Sequence, residues 1–146
     1  MNVKTILLVE DNSQDELLTL RALRKANVAN RIDVVRDGQQ ALDYLFRTGE
    51  FSVRDGPDLP TVMVLDIGLP RLSGLEVLSR LRDDPRTAML PVVVLTSSDD
   101  ERDRLKSYQF GANSFVRKPV DFAEFAATVA QLGLYWLATN EPPPGL

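Results

Sequence analysis

The chain contains no cysteine and no histidine. The absence of cysteine excludes disulfide bonds, cysteine-ligated zinc and thiol nucleophiles. The absence of histidine excludes imidazole acid–base catalysis, Ser-His triads, imidazole metal ligands and a phosphohistidine formed on this chain. Any chemistry at this chain therefore depends on carboxylates, hydroxyls, lysines and bound ions.

Long hydrophobic runs are also missing. No apolar run exceeds five residues, whereas a membrane-spanning helix needs roughly 18. The first run, residues 6–9, leads directly into Glu10 and Asp11, so it is too short for a signal peptide. The net charge is −4, and the sequence has no concentrated basic segment of the kind that nucleic-acid-binding proteins carry. We therefore expect a cytoplasmic protein with neither a membrane nor a nucleic-acid partner.

Five short apolar stretches alternate with five stretches of helical periodicity. The predicted strands are residues 6–9, 32–35, 62–65, 92–95 and 115–116. Three of them lack the alternation of apolar and polar residues, as expected for strands buried on both faces of a parallel sheet. The length of 146 residues fits one domain. The pattern predicts an α/β protein with a doubly wound, flavodoxin-like sheet of five parallel strands, order 2-1-3-4-5, and five helices.

Polar residues stand at the ends of four predicted strands. Glu10 and Asp11 follow the first strand and Asp66 follows the third, while Thr96 ends the fourth and Lys118 follows the fifth. Ligands of open α/β sheets bind beyond the carboxyl ends of the strands, so we expect these side chains to converge. Clustered carboxylates repel one another unless a cation lies between them, and an oxygen-only site suits Mg²⁺. Each residue alone is more often a cap or turn former, but their joint placement predicts a site.

Four motifs resemble the receiver domains of two-component response regulators. They are LVED at residues 8–11, DIGLP at residues 66–70 with Gly74 following, VVVLTS at residues 92–97 and GANSFVRKP at residues 111–119. The resemblance covers roughly residues 4–134. Each motif alone is weak, whereas four in order at the right spacing are specific.

The resemblance implies a role for each residue of the predicted site. Asp66 would accept a phosphoryl group from the phosphohistidine of a partner sensor histidine kinase, which supplies the histidine that this chain lacks. Asp11 and Asp66 would ligate Mg²⁺, the backbone carbonyl of Gly68 would add a ligand, and Glu10 would act more through water. Lys118 would pair with a phosphoryl oxygen. Transfer of this kind depends on positioning and on neutralising the charge of the phosphoryl oxygens.

Thr96 and Phe115 are the residues that the resemblance assigns to the response. The Thr96 hydroxyl would turn toward the new phosphoryl group, and Phe115, at the family's switch position, would move into the vacated space. The surface formed by helix four, strand five and helix five would then shift between two states. Phe115 also suits a core position, and both roles are compatible. The Lys118–Pro119 bond resembles a cis peptide bond of the family.

The expected domain organisation is a receiver domain at residues 1–138 and a proline-rich tail at residues 139–146, with no effector domain. The long loop at residues 48–60 and the segment 132–137 resemble single-domain responders of bacterial phytochrome kinases. Two alternatives stay open for Tyr135 and Trp136. They pack against the end of the last helix, or they form a homodimer interface through that helix and the C-terminal extension, since interface cores are rich in aromatic residues.

Other functions fit the sequence less well. An aspartyl-phosphate hydrolase of a related α/β fold generally needs a second aspartate two residues after the nucleophile, where this chain has Gly68. An atypical receiver that binds partners without phosphate has no reason to keep all five site residues. A nucleotide- or flavin-binding protein would carry a glycine-rich loop after the first strand. We therefore expect a phosphoacceptor rather than an enzyme, with self-catalysed phosphoryl transfer and autodephosphorylation only. The missing side chain at Gly68 leaves the phosphate lifetime open.

Overall fold

A five-stranded parallel sheet forms the centre of the molecule. The computed structural model describes residues 3–27, 29 and 31–144. The strands run in the order β2-β1-β3-β4-β5, and every neighbouring pair is parallel. Their bounds are Thr5–Val9 (β1), Arg31–Val35 (β2), Val62–Leu65 (β3), Val92–Thr96 (β4) and Ser114–Arg117 (β5). The predicted fold class and strand order are confirmed.

Five helices connect and follow the strands. They are Ser13–Ala26 (α1), Gly38–Phe46 (α2), Gly74–Asp83 (α3), Glu101–Gln109 (α4) and Phe122–Leu134 (α5), and a π-helical turn, Tyr135–Thr139, continues α5. Each helix begins after a residue whose side-chain oxygen accepts a hydrogen bond from a backbone N–H of the first turn, which stabilises the helix start. These caps are Asn12, Asp37, Ser73, Asp100 and Asp121. Within the described residues, no helix is both long and apolar enough to cross a bilayer.

The central strands bury both of their faces, which explains why their sequences do not alternate. Side chains of β1, β3 and β4 point alternately into two apolar clusters. The α2–α3 cluster includes Leu7, Val9, Met63, Leu65, Val92, Val94, Leu42, Leu45, Val77, Leu78 and Leu81. The α1–α5 cluster includes Ile6, Leu8, Val62, Val64, Val93, Leu95, Leu20, Leu23, Phe125, Val129 and Leu132. Each face of the sheet is thus covered by one helix layer.

Helix α4 forms as its periodicity predicts, but its apolar residues do not face the core. Leu105 and Tyr108 are 58% and 49% exposed. The buried residue of this helix is Ser107, whose hydroxyl donates to the carbonyl of Asp103 at 2.7 Å. Spacing alone does not distinguish the core face of a short polar helix from an apolar patch on its outer face.

The prediction of a cis Lys118–Pro119 bond is wrong. The described residues contain no cis peptide bond. The trans form is favoured by about 0.5–1 kcal/mol even before proline, so trans is the default without local constraint. The Lys118 N–H donates to the carbonyl of Thr96 at 2.7 Å and so continues the pairing of β5 with β4.

Two arginines hold the long loop at residues 48–60 against α2. The Arg54 guanidinium lies 4.0 Å from the centre of the Tyr44 ring and donates to the Tyr44 carbonyl at 2.7 Å. Arg47 donates to the carbonyls of Arg54 and Gly56. The loop is therefore a fixed part of the domain.

Helix α3 begins in close contact with the end of β3. A Cβ added at Gly74 would lie 2.5 Å from the backbone oxygen of Asp66 and 2.6 Å from the Cα of Ile67. Backbone atoms of this kind cannot move aside without shifting the loop. Glycine at position 74 is therefore required for this packing, and it fixes the backbone of Asp66.

We predict that Gly74→Ala destabilises the protein by about 1–3 kcal/mol, the range for overpacking a tight contact. Urea unfolding followed by circular dichroism measures the change in the free energy of unfolding. Gly68→Ala, in the same loop, is the matched control. Its added Cβ would meet only Asp66 Oδ1, at 3.8 Å. We expect a change of less than about 1 kcal/mol for this control. Equal losses for the two variants would contradict the packing argument.

Candidate functional site

Three carboxylates meet at the carboxyl edge of the sheet. Glu10 and Asp11 follow β1, and Asp66 follows β3, its neighbour in the sheet. The Asp66 N–H donates to the carbonyl of Val9 at 3.1 Å, which holds the two strand ends together. One carboxylate oxygen from each of the three acids lies within 4.8 Å of the other two. The predicted convergence of these acids is therefore present in the structure.

Lys118 lies at the centre of the acidic group. Its side chain is 5% exposed, and its Nζ lies 2.7 Å from Glu10 Oε1 and 3.0 Å from Asp66 Oδ2. The structure thus places Lys118 in direct contact with two of the predicted site residues. A third contact, 2.9 Å to Asp15 Oδ2, reaches helix α1.

Asp15 was not among the site residues predicted from the sequence. Its backbone N–H donates to the Asn12 side chain at 3.0 Å, so it lies in the first turn of α1. An acid in the first turn of a helix ordinarily interacts with the helix dipole. That interpretation of Asp15 does not predict its contact with Lys118. The signal in the sequence was a third acid shortly after the Glu10-Asp11 pair, but only the packing of α1 against the sheet brings it to Lys118.

Burial and charge have opposing effects on the pKa values of Glu10 and Lys118. Burial raises the pKa of Glu10 to about 7, against the opposing effect of its hydrogen bond to Lys118. Burial also lowers the pKa of Lys118, but hydrogen bonds to Glu10 and Asp15 outweigh it and raise this pKa above its usual value. Lys118 is therefore charged at neutral pH, and a single lysine faces several carboxylates.

The donor set fits a hard divalent cation. Glu10, Asp66 and Asp11 offer oxygen atoms only, and they range from buried through half-buried to exposed. Such ions prefer carboxylate oxygens and retain water ligands where a site opens to solvent. The excess of negative charge over Lys118 also favours a bound cation. The Gly68 N–H donates to Asp66 Oδ1 at 3.0 Å, which orients that carboxylate; the role of the Gly68 carbonyl stays a prediction.

Thr96 ends β4 with its side chain buried. Its hydroxyl accepts a hydrogen bond from the Ser98 N–H at 3.3 Å. The Ser98 hydroxyl in turn donates to Asp103 at 2.6 Å and accepts from the Asp100 N–H at 3.3 Å. A continuous set of hydrogen bonds therefore runs from the end of β4 to the first turn of α4.

Phe115 lies on β5, the edge strand next to β4. It is half-buried and packs against the α2–α3 cluster. The core position that the sequence allowed for this ring is thus observed. Its assignment as a switch residue stays a prediction.

Comparison with curated proteins shows relatives across nearly the full chain. The protein is 39% identical to a probable methanogenesis regulatory protein, FilR2, of Methanothrix harundinacea over 94% of this chain and 86% of that protein. It is 32% identical to the response regulator Rcp1 of Synechocystis over 96% of this chain and 93% of that protein.

Solved structures of response regulators are also similar to this protein across nearly the full chain. The phosphorylated cyanobacterial phytochrome response regulator RcpA has a TM-score of 0.90 at 34% identity, covering 97% of this chain and 99% of that one. The Mn²⁺-bound form of Rcp1 has a TM-score of 0.88 at 32% identity, covering 96% and 99%. The bacteriophytochrome response regulator RtBRR has a TM-score of 0.76 at 50% identity, covering 99% and 86%.

A family model for the response regulator receiver domain matches residues 6–130, which include all the site residues described above. The match covers most of the sheet and every strand end that contributes to the acidic group. This protein belongs to the family of response regulator receiver domains.

Proposed function

We propose that this protein is a response regulator that accepts a phosphoryl group on Asp66 from the phosphohistidine of a partner histidine kinase. The contact of the buried Lys118 with Asp66, at 3.0 Å, carries the proposal. It joins a carboxylate nucleophile to a fixed positive charge beside a cluster that fits a divalent cation. Receiver domains act in signalling, so the change in Asp66 is the output of the reaction rather than a step in the turnover of a substrate.

The chain's own residues position and neutralise the transferred group. A carboxylate oxygen of Asp66 attacks the phosphorus while the P–N bond to the donor histidine breaks, and the leaving nitrogen keeps the bonding electron pair. Lys118 donates to a phosphoryl oxygen, and Asp11, Asp66 and the Gly68 carbonyl would hold Mg²⁺, with Glu10 acting through water. The ion supplies neutralisation of the charge on the phosphoryl oxygens. In autodephosphorylation, water attacks the phosphorus, the bond between phosphorus and the Asp66 oxygen breaks, and inorganic phosphate and the free carboxylate are released.

The response passes through Thr96 to α4. When the Thr96 hydroxyl turns to a phosphoryl oxygen, the Ser98 N–H loses its acceptor, and the bonds of Ser98 to the first turn of α4 rearrange. Phe115 moves into the space beside Thr96. The exposed side chains of Leu105 and Tyr108 on α4 belong to the surface that changes, and this surface of α4, β5 and α5 selects the downstream partner.

The partner kinase is of the phytochrome type in this proposal. Its support is the likeness to response regulators whose names connect them with cyanobacterial phytochrome and bacteriophytochrome. The 39% identity to a methanogenesis regulatory protein belongs to the same family-level likeness and gives no specific kinase. Neither a nucleic acid nor a membrane is a partner in this proposal, and the cytoplasmic location stays a prediction.

The receiver domain extends to residue 138 in this proposal. Leu137, in the π-helical turn, is buried in the α1–α5 cluster, and its carbonyl accepts a hydrogen bond from Lys4 Nζ. Trp136 is half-buried and packs on the same cluster. The tail follows at residues 139–146, of which residues 145 and 146 lie outside the described residues.

A homodimer through the end of α5 is the further part of the proposal. Leu134 and Tyr135 are about half exposed, at 48% and 50%, and the Tyr135 ring meets the Trp136 ring edge-on at 5.1 Å between centroids. These two exposed side chains offer an interface core for a second copy.

We predict that the protein incubated with Mg²⁺ and acetyl phosphate takes up one phosphoryl group, measured by intact mass. Asp66→Asn abolishes the uptake because the amide is not a nucleophile, and removal of Mg²⁺ abolishes it because the charge on the phosphoryl oxygens is no longer neutralised. Asp58→Asn, in the exposed loop, is the matched control and keeps the uptake. Uptake by neither wild type nor control would overturn the proposal. Rapid hydrolysis of unrelated phosphate esters would favour the hydrolase alternative.

We predict that Lys118→Ala still takes up phosphate, more slowly, but transmits it poorly to α4. Without the lysine, no fixed positive charge positions the phosphoryl group for Thr96. Hydrogen exchange of the α4 amides, measured with and without acetyl phosphate and compared at equal phosphorylation, gives the response. Lys25→Ala, an exposed lysine at the end of α1, is the control that responds normally. An unchanged α4 response in Lys118→Ala would contradict the switch.

We predict that wild type sediments as a dimer and that Tyr135→Glu raises the dimer Kd about thirtyfold or more, the effect of removing an interface hot spot. Sedimentation equilibrium measures the Kd. The comparison variant is Tyr108→Glu, which alters an equally exposed tyrosine on α4 and leaves this Kd unchanged. A monomeric wild type at high concentration, or an effect at Tyr108 only, would contradict an interface at the end of α5.

A further inference from the structure

The Lys118 ammonium contacts three different carboxylates: it donates hydrogen bonds to Asp15 and Asp66 and forms an ion pair with Glu10. Its Nζ lies 2.7 Å from Glu10, 2.9 Å from Asp15 and 3.0 Å from Asp66. An ammonium group has three donors and no acceptor, so the two hydrogen bonds and the ion pair together restrict its orientation. The direction of the N–H that faces Asp66 therefore depends on the other two carboxylates.

Asp15 differs from the other two carboxylates in its surroundings. Glu10 and Asp66 belong to the group whose oxygens lie within 4.8 Å of Asp11, whereas Asp15 does not. A divalent cation in that group would engage Asp66 directly and Glu10 through water, and a phosphoryl group on Asp66 would take the place of the Asp66 contact with Lys118. Asp15 is the carboxylate on Lys118 that neither event engages.

Helix α1 holds Asp15 in place. Its N–H bonds the Asn12 cap at 3.0 Å, and one turn further along the same face Thr19 is buried, with Leu23 in the α1–α5 cluster after it. The helix therefore cannot rotate without exposing its buried face. The Asp15 carboxylate is about a quarter exposed, at 27%, so the contact lies at the boundary of the core.

From this geometry we propose that Asp15 is a positioning residue for Lys118. It anchors the ammonium from the α1 side, so that one N–H stays directed at the phosphoryl oxygens when Glu10 and Asp66 are engaged elsewhere. Asp15 does not touch the phosphoryl group and acts only through Lys118. This inference rests on the proposed phosphorylation of Asp66 and adds a residue from α1 to it.

The test compares rate constants of phosphoryl uptake from acetyl phosphate at saturating Mg²⁺, measured by intact mass over time. We expect Asp15→Ala to lower the rate constant about tenfold, the effect of losing one charge-assisted hydrogen bond. Asp15→Asn keeps an oxygen acceptor of the same size and restores part of the rate. Glu16→Ala removes an acid from the same turn, which pairs with Arg36 rather than Lys118. It serves as the matched control for the helix dipole and leaves the rate unchanged.

A double-mutant cycle separates positioning from a merely structural role. In a Lys118→Ala background, Asp15→Ala has no further effect on the rate constant, because the residue through which it acts is missing. An equal loss in both backgrounds, or an Asp15→Ala rate equal to or above that of wild type, would overturn the inference while leaving phosphorylation at Asp66 intact. Absence of uptake by wild type would overturn the proposed function and this inference with it.

Discussion

The buried ammonium of Lys118 is the interaction on which the arrangement of the site depends. It brings three carboxyl groups, from the ends of β1 and β3 and from α1, to within 3.0 Å of one atom. Without it, Glu10 would be a buried carboxylate with no positive partner, and such a group either protonates or destabilises the fold. The lysine therefore serves stability and chemistry with the same contacts, and the site is preorganised by the interactions that hold the folded state together.

The order of the strands makes this contact possible. Because β1 and β3 are neighbours and parallel, Glu10 and Asp66 emerge side by side, and β5, two strands beyond β3, sends a long side chain across the edge of the sheet. The backbone is fixed at both ends of this span. The Asp66 N–H donates a hydrogen bond to the Val9 carbonyl, and the Lys118 N–H donates one to the Thr96 carbonyl.

Much of this arrangement was predictable from sequence, for a physical reason. Strands buried on both faces give uninterrupted apolar runs, and acids directly after such runs must stand at one edge of a parallel sheet, so Glu10, Asp11 and Asp66 were predicted together. Lys118 joined them because it follows a further strand of the same parallel sheet. The remainder depends on tertiary packing. The contact of Asp15 with Lys118 follows from the seating of α1, and the exposure of Leu105 follows from the orientation of α4. The spacing of residues along the chain determines neither the position of α1 on the sheet nor the orientation of α4.

The uneven burial of the strands has a mechanical consequence. Every residue of β1, β3 and β4 is buried, whereas three residues of β5 are half-buried and one is exposed. The opposite edge, β2, also has four half-buried residues, but it is braced by Asp33, which accepts hydrogen bonds from both Arg31 and Tyr44. Segments with less buried surface open and shift at lower free energy than the rest of a domain. The sheet is therefore stiffest at its central strands and at the β2 edge. It deforms most readily at the β5 edge, the edge that carries Phe115 and Lys118.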